Sequence, residues 1–292
     1  MTYQRIRGFS EHLNDFYSPE LEALGVIWKE KKSELQESGT FKKFLLKLQR
    51  EWAIETGLIE RLYTWDRGVT EVLIEQGVEA TIIAHQSGIQ RDQATHIKRM
   101  IDDQISIIEG LFSFVKVKDP VYKHLSEHFI RSIHQQFTNN QNYTEALTSD
   151  GKITTIPLEK GVYKKHPNNP KRPDGELHIY CPPELTQEEM EQLIRWYKEN
   201  EDKYRPEVKA AWLHHRFTQV HPFQDGNGRV ARALASLVFL REGYFPLVVR
   251  SSDRDNYMEA LEKADQGRLA PLITFFAERQ KQTVLQALRL EQ

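Results

Sequence analysis

Twelve residues from His221 to Arg232, HPFQDGNGRVAR, gather the groups in this chain that could do chemistry. Gly226, Asn227 and Gly228 tolerate the positive φ values that turn successive backbone N–H groups inward to form an anion nest. Apolar periodicity at Val230, Leu234, Leu237 and Val238 starts directly afterwards, so the nest falls at a helix N-terminus with its partial positive charge. Arg229 and Arg232 are three apart, hence on one side of that helix and able to reach further phosphate oxygens. Asp225 is a hard oxygen ligand suited to Mg²⁺ bridging two phosphates. His221 lies on the lip, with an imidazole suited to accepting a hydroxyl proton. A glycine turn, a pair of arginines or a His-Pro step is each ordinary alone. No structural need calls for all of them in this order, and together they point to phosphoryl or nucleotidyl transfer.

Such a loop has to be held, and the rest of the chain reads mostly as helix. Apolar residues recur three or four apart over 19–34 and 40–52, and further helices are expected at 69–74, 97–115 and from Pro120 to Phe137. Residues 138–185 are rich in Asn, Gly, Pro and Asp, which break helices. Within them GKITTIPL, GVYKK and ELHIY are β-prone pieces expected as hairpin arms. Helix resumes with Thr186 as a candidate N-cap and Glu189 at capping-box spacing. Pro206 is placed to start the next helix, reaching Gln219. Another runs from about Gly228 to Gly243, and Pro271 begins the last. The fold class expected is all-α, a helical bundle with a small β-hairpin flap and extra N-terminal helices, divided as 1–95 and 96–292.

Composition narrows the rest. The chain has 292 residues, 40 Lys plus Arg against 42 Asp plus Glu, and a formal charge of −2. That balance gives no global electrostatic case for nucleic acid or membrane. A hydrophobic share of 39% is too high for a disordered chain. The single cysteine, Cys181, excludes an internal disulfide framework and fits a reducing compartment. Neither a leader nor a membrane-length apolar run is apparent, so a cytoplasmic protein is expected.

HPFQDGNGRVAR resembles the signature of the Fic family, His-Pro-Phe-x-(Asp/Glu)-Gly-Asn-Gly-Arg-x-x-Arg, without a mismatch. The resemblance extends to AAWLHHRFTQV upstream, to EKGVYKK with GELHIYCPPELTQEEMEQLIRWY, and to RDNYMEALEKADQGRLAPLITFF downstream, covering at least Ile130 to Phe276. It implies a protein adenylyltransferase that moves AMP from Mg·ATP to a Tyr, Thr or Ser hydroxyl. On that likeness His221 is the general base and Asp225 binds Mg²⁺. Gly226, Asn227 and Gly228 hold the α-phosphate region, and Arg229 and Arg232 the outer phosphates. Phe223 is core, pinning the loop from below. Tyr257 and Leu261 fit a wall for the base, and Asp265 stands where the family often has Asn, exchanging an amide for an acceptor-only carboxylate. Gly161, Val162, Tyr163, Leu177 and Ile179 are the flap candidates that would pair with the target as an added strand. The partners implied are ATP and an unidentified target protein, the chain itself included, with a homo-oligomer as a further possibility.

Many Fic proteins carry an inhibitory helix with the pattern (Ser/Thr)-x-x-x-Glu-(Gly/Asn), whose glutamate pairs with the second signature arginine. TGLIER supplies Thr56 and Glu60, with Arg61 where Gly or Asn is usual; ISIIEG supplies Glu109 and Gly110, but Ile105 replaces Ser or Thr. Glu60 is preferred, in an inhibitory region of about 50–77, with Glu109 as runner-up. In some relatives this glutamate is implicated in removing AMP, so reverse chemistry, or transfer of another nucleotide or phosphate, stays open. Two remoter readings are a zinc hydrolase, because His124 to His128 (HLSEH) matches H-x-x-E-H with both histidines expected on one helix face, and a silenced binding module.

Overall fold

The computed structural model describes residues 3–117, 124–147, 153–170 and 175–291. Chain order runs α1 (Pro19–Leu35), α2 (Gly39–Ile59), α3 (Arg67–Gln76), α4 (Ala80–Ser87), α5 (Arg91–Phe114), α6 (Glu127–Phe137), β1 (Tyr143–Leu147) and β2 (Ile153–Pro157). It continues with α7 (Pro183–Asn200), α8 (Pro206–Val220), α9 (Asn227–Arg241), α10 (Arg254–Asp265) and α11 (Ala270–Leu288). The class is all-α, as the periodicity requires. Among the described residues no helix is long and apolar enough to cross a membrane.

α9 is the axle: every residue from Arg229 to Leu240 is buried. α8 packs beside it, contributing Trp212, Leu213, Phe217 and Val220. α2 is amphipathic at first but buried without interruption from Trp52 to Ile59, because its last two turns run between α5 and α9. Trp52 donates its indole N–H to Ser236 Oγ on α9 at 3.0 Å, and Ser236 Oγ donates to the Arg232 carbonyl at 2.8 Å. Glu51 pairs with Arg250, while Glu55 accepts from the Ser251 N–H and from Arg67. One core cluster runs from Ile6 to Ala287, across the division at 95/96 expected from the sequence.

Several expected boundaries move. α7 starts at Pro183, and Thr186 sits inside it with its hydroxyl on the Pro182 carbonyl, so Thr186 and Glu189 form no capping box. Glu189 is buried instead, accepting from Tyr3 and from the Ile6 N–H, which ties the N-terminal segment to α7. α6 begins after Ser126, whose hydroxyl caps it; the proposed start at Pro120 lies outside the described residues. α4 was not anticipated. The hairpin differs too: β1 pairs with β2 antiparallel, Tyr143 opposite Pro157 and Leu147 opposite Ile153. GVYKK gives only one bridge, Tyr163 to Phe223, and Glu176–Tyr180 runs extended, with the His178 N–H on the Pro170 carbonyl.

Candidate active site

α8 ends on His221 itself. Its backbone is left-handed (φ 51°), its N–H returns to the Phe217 carbonyl at 2.8 Å, and Pro222 has no N–H with which to continue the helix. The chain then drops Phe223 into the core, as expected, where it stacks on His134 at 3.8 Å. Asn227 clips the loop shut: its Oδ1 accepts the Phe223 N–H at 2.9 Å and its Nδ2 donates to the Phe223 carbonyl at 2.7 Å. Gly226, at φ 78°, turns the chain into α9 with no side chain capping the first turn. The opening N–H groups of α9 thus remain available to an anion, but Asn227 and Gly228 are already helical, so of the three residues expected to form the nest Gly226 alone takes a positive φ.

The carboxylate of Asp225 accepts from the Gly226 N–H at 2.6 Å, from Gln141 Nε2 at 2.6 Å and from Thr144 Oγ1 at 3.1 Å. Burial opposes its ionisation, but Arg229 and these hydrogen bonds outweigh burial and hold the carboxyl below its usual range. Among the described residues no cluster of three or more His, Cys, Asp and Glu could hold a metal. A single carboxylate such as Asp225 suits a cation that brings its other oxygen ligands with it, as Mg²⁺ does on a triphosphate.

The two arginines diverge. Both are buried. Arg229 turns towards the hairpin root, donating to the Phe137 carbonyl and to Gln141 Oε1 at 2.7 Å. Arg232 turns towards α2, where Nη2 donates to the Thr56 carbonyl at 3.2 Å and to Glu60 Oε1 at 2.8 Å. A Cβ built on Gly228 would lie 2.3 Å from that same Glu60 oxygen, so the bare glycine makes the space the carboxylate fills. The Nε atoms of Arg229 and Arg232 are buried without a hydrogen-bond partner. Glu109, the runner-up, is exposed on α5.

Glu60 is held there by the end of α2. The Leu62 N–H bonds to the Gly57 carbonyl and the Arg61 N–H to the Leu58 carbonyl, the paired bonds of a Schellman end. That motif needs a left-handed residue after Glu60, and Arg61 takes it at φ 56°. This is the physical reason the family pattern asks for Gly or Asn there. Gly57 is required for a different reason: a Cβ would lie 2.2 Å from the Tyr63 hydroxyl, which donates to the Ile54 carbonyl.

His221 sits in a built environment. Tyr180 stacks on its ring at 3.8 Å and 2°. Its Nδ1 is 2.8 Å from Asn168 Nδ2 and 3.1 Å from Asn227 Nδ2. Burial holds its imidazole well below the usual value, and Lys164 and His178 push the same way. His134, which the sequence did not single out as functional, joins flap to loop: Nδ1 accepts the Gly161 N–H at 2.8 Å and Nε2 faces the Asp225 carbonyl at 3.0 Å.

The outlying candidates fall differently. Tyr257 is no open wall. It is buried, its hydroxyl lies 2.7 Å from His214 Nε2 and interacts with Arg232, and burial pushes the phenol up to about 12. Leu261 is half-buried. Asp265 meets His215 at 3.0 Å and lines a cavity of about 790 Å³ with Arg7, Arg216 and Arg268, away from Glu60 and Arg232. Val162 and Tyr163 border a separate groove of about 370 Å³ with Ile156, Lys165 and Gln224 of the 221–232 loop; the Gly161 N–H bonds to His134, Ile179 is half-buried and Leu177 is exposed. His124 precedes α6 and pairs with Glu201, while His128 lies exposed on α6, so the two share no helix face and the zinc pattern is not built. Gln141, Thr144, Lys164, Asn168 and Tyr180 went unnoticed in the sequence as partners of His221 or Asp225. They lie in the aperiodic segment, where no spacing signals a role.

Comparison with known proteins agrees with this geometry. Residues 124–239 match the model of the Fic/DOC family. The chain is 32% identical over 108 residues to a Nematostella vectensis protein named protein adenylyltransferase Fic, spanning 37% of this chain and 25% of that protein. It is 43% identical over 94 residues to a Fido domain-containing protein of Dictyostelium discoideum, spanning 30% of this chain and 62% of that one. The chain thus spans less than two thirds of either relative. Its fold resembles the crystal structure of a Fic domain containing signaling protein from Bacteroides thetaiotaomicron, with a TM-score of 0.74 and 24% identity over 93% of this chain and 96% of that one. The intact signature and its seat at the start of a buried helix lie within residues 124–239, the part of the chain that matches the Fic/DOC family.

Proposed function

We propose that this protein transfers AMP from ATP to a Tyr, Ser or Thr hydroxyl of a protein, and that Glu60 restrains the transfer. One observation carries the reading: at Gly228 the uncapped first turn of α9, the buried guanidinium of Arg232 and the Glu60 carboxylate converge on one small space. Phosphate oxygens suit the amides and the guanidinium, and Glu60 occupies the same donors. Gly226, Asn227 and Gly228 would cradle the α-phosphate region, and Arg232 the terminal phosphate once Glu60 withdraws. Arg229 would order the cradle through Gln141. Asp225 would hold Mg²⁺, which on the nucleotide supplies neutralisation of phosphate charge. In transfer, His221 Nε2, freed in the tautomer that carries the ring proton on Nδ1, takes the hydroxyl proton while the oxygen bonds to the α-phosphorus and pyrophosphate leaves with its bonding pair. The groove beside Val162 and Tyr163 suits an extended target segment. On this reading residues 1–95 carry the restraint and 96–292 the transfer machinery.

A second reading, AMP removal at the same site, is favoured by the contacts of His221. Two amide N–H donors face Nδ1, which leaves the ring proton on Nε2. A protonated Nε2 gives a proton to a departing hydroxyl oxygen, while Glu60 is placed to take one from an attacking water. Incubation of the Glu60→Gly protein with Mg·ATP tests the main reading. Intact-mass and peptide mass spectrometry should find one adenylyl group on a Tyr, Ser or Thr, and none when His221→Ala is added. No adduct, or one that survives loss of His221, refutes it.

A further inference from the structure

We infer that Asn168 is a positioning residue, whose amide fixes the His221 imidazole as the Nε2–H tautomer and so decides whether the ring gives or takes a proton at the site. This rests on the reading of His221 as the proton-transfer group.

The orientation of the Asn168 amide is settled by its neighbours. Lys164 Nζ lies 2.9 Å from Asn168 Oδ1, and an ammonium can only donate, so that atom is oxygen. On the other side Asn168 Nδ2 donates to the Phe223 carbonyl at 2.7 Å. Its second hydrogen then points to His221 Nδ1 at 2.8 Å. Asn227 is fixed by the same logic, with its oxygen on the Phe223 N–H and its nitrogen on the Phe223 carbonyl. Two amide donors thus meet one imidazole nitrogen, which must offer a lone pair. In a neutral ring the proton is then on Nε2.

The ring cannot easily escape this choice. Tyr180 lies flat on it, so a rotation must break the stack, and turning the imidazole over would remove Nδ1 from both donors. Lys164 is buried, anchored also by the Val220 carbonyl at 3.3 Å, and its charge polarises the Asn168 amide into a stronger donor. Among the described residues the charged and titratable groups facing the ring are Lys164 from the flap side, His178 and the stacked Tyr180. None of them is a carboxylate that could hold a proton at Nδ1. Taking a hydroxyl proton at Nε2 requires the opposite tautomer, so the described arrangement favours donation. Asn168 belongs to the segment that also supplies Val162 and Tyr163, which couples the proton inventory of His221 to the position of the flap.

The test is nitrogen-15 NMR on histidine-labelled full-length protein, with His221→Ala used to assign the His221 signals. Wild type should show an unprotonated Nδ1 and a protonated Nε2. Asn168→Asp places a carboxylate there, which should move the proton to Nδ1. In the Glu60→Gly background it should also raise the rate of AMP transfer tenfold or more. Asn168→Ala, which adds no charge, should give a mixture of tautomers and decides the matter if the aspartate variant does not fold. A wild-type proton on Nδ1, or His221 signals unchanged in both variants, overturns the inference. If no AMP chemistry occurs in any variant while the tautomer still shifts, the adenylyl-transfer reading fails and the role of Asn168 in positioning the ring stands.

Discussion

Replacing Gly228 with alanine should dislodge Glu60 without unfolding the protein. The new Cβ would sit 2.3 Å from Glu60 Oε1 and 3.1 Å from its carboxyl carbon, but these are the far end of a flexible side chain, which can swing away. Gly228 does not need a left-handed backbone, so alanine fits its helical position. Losing a hydrogen bond between a carboxylate and a buried guanidinium costs about 2 kcal/mol, and alanine in a helix returns up to about 1 kcal/mol. Gly228→Ala alone should therefore destabilise by about 1 kcal/mol. In a Glu60→Gly background only Arg232 Nη1 stays close, at 3.2 Å and at the far end of a flexible side chain, and the same change should be neutral or stabilising by up to about 1 kcal/mol. The coupling between the two sites should then be about 2 kcal/mol, read from a double-mutant cycle of urea denaturation curves. Strict additivity would refute the contact between Glu60 and the α9 N-terminus and, with it, the proposed restraint.

Two further outcomes follow from the same geometry. Arg61→Gly relieves a left-handed non-glycine residue worth about 1–2 kcal/mol and gives back up to about 1 kcal/mol to the unfolded chain. The variant should melt about 2 °C higher by calorimetry and label itself less than wild type; a lower melting temperature would contradict the strain at this position. Burial pushes the His134 imidazole down to about 4, against an ordinary 6.5, so the unfolded ring binds a proton between these values and the folded ring does not. Its contribution is whole above pH 6.5 and is lost as pH falls towards 4. That amounts to about 2 kcal/mol between pH 7 and pH 5, with buried His214, His215 and His221 acting in the same direction. Equal urea midpoints at those two pH values would overturn the assignment of a neutral, buried His134.

The helices and the geometry of the 221–232 loop were legible because both leave local marks. Apolar spacing marks α1, α8 and α9, and Gly226, which must take a positive φ, marks the nest. The contact of Glu60 with Arg232 was legible through the pattern around it, and the residue after it needs a left-handed backbone, which Arg61 takes at a cost. What stayed hidden depends on contacts between distant segments. Glu189 looked like a capping residue three positions after Thr186, yet Tyr3 and Ile6, more than 180 positions away, claim it. Tyr257 carried the right chemistry for a base-facing wall, but its ring is buried and its hydroxyl is taken by His214. Asn168 and Gln141 come from the punctuated segment, where backbone turns set side-chain position and no periodicity survives to be read.

The most direct trial of the account uses ATP labelled in turn at the α- and the γ-phosphate, offered with Mg²⁺ to the Glu60→Gly protein. The account predicts that α-label stays on a protein hydroxyl and γ-label leaves with pyrophosphate, both lost when His221 is replaced by alanine. Retention of γ-label on the protein, or no label in the presence of an otherwise folded site, would contradict it.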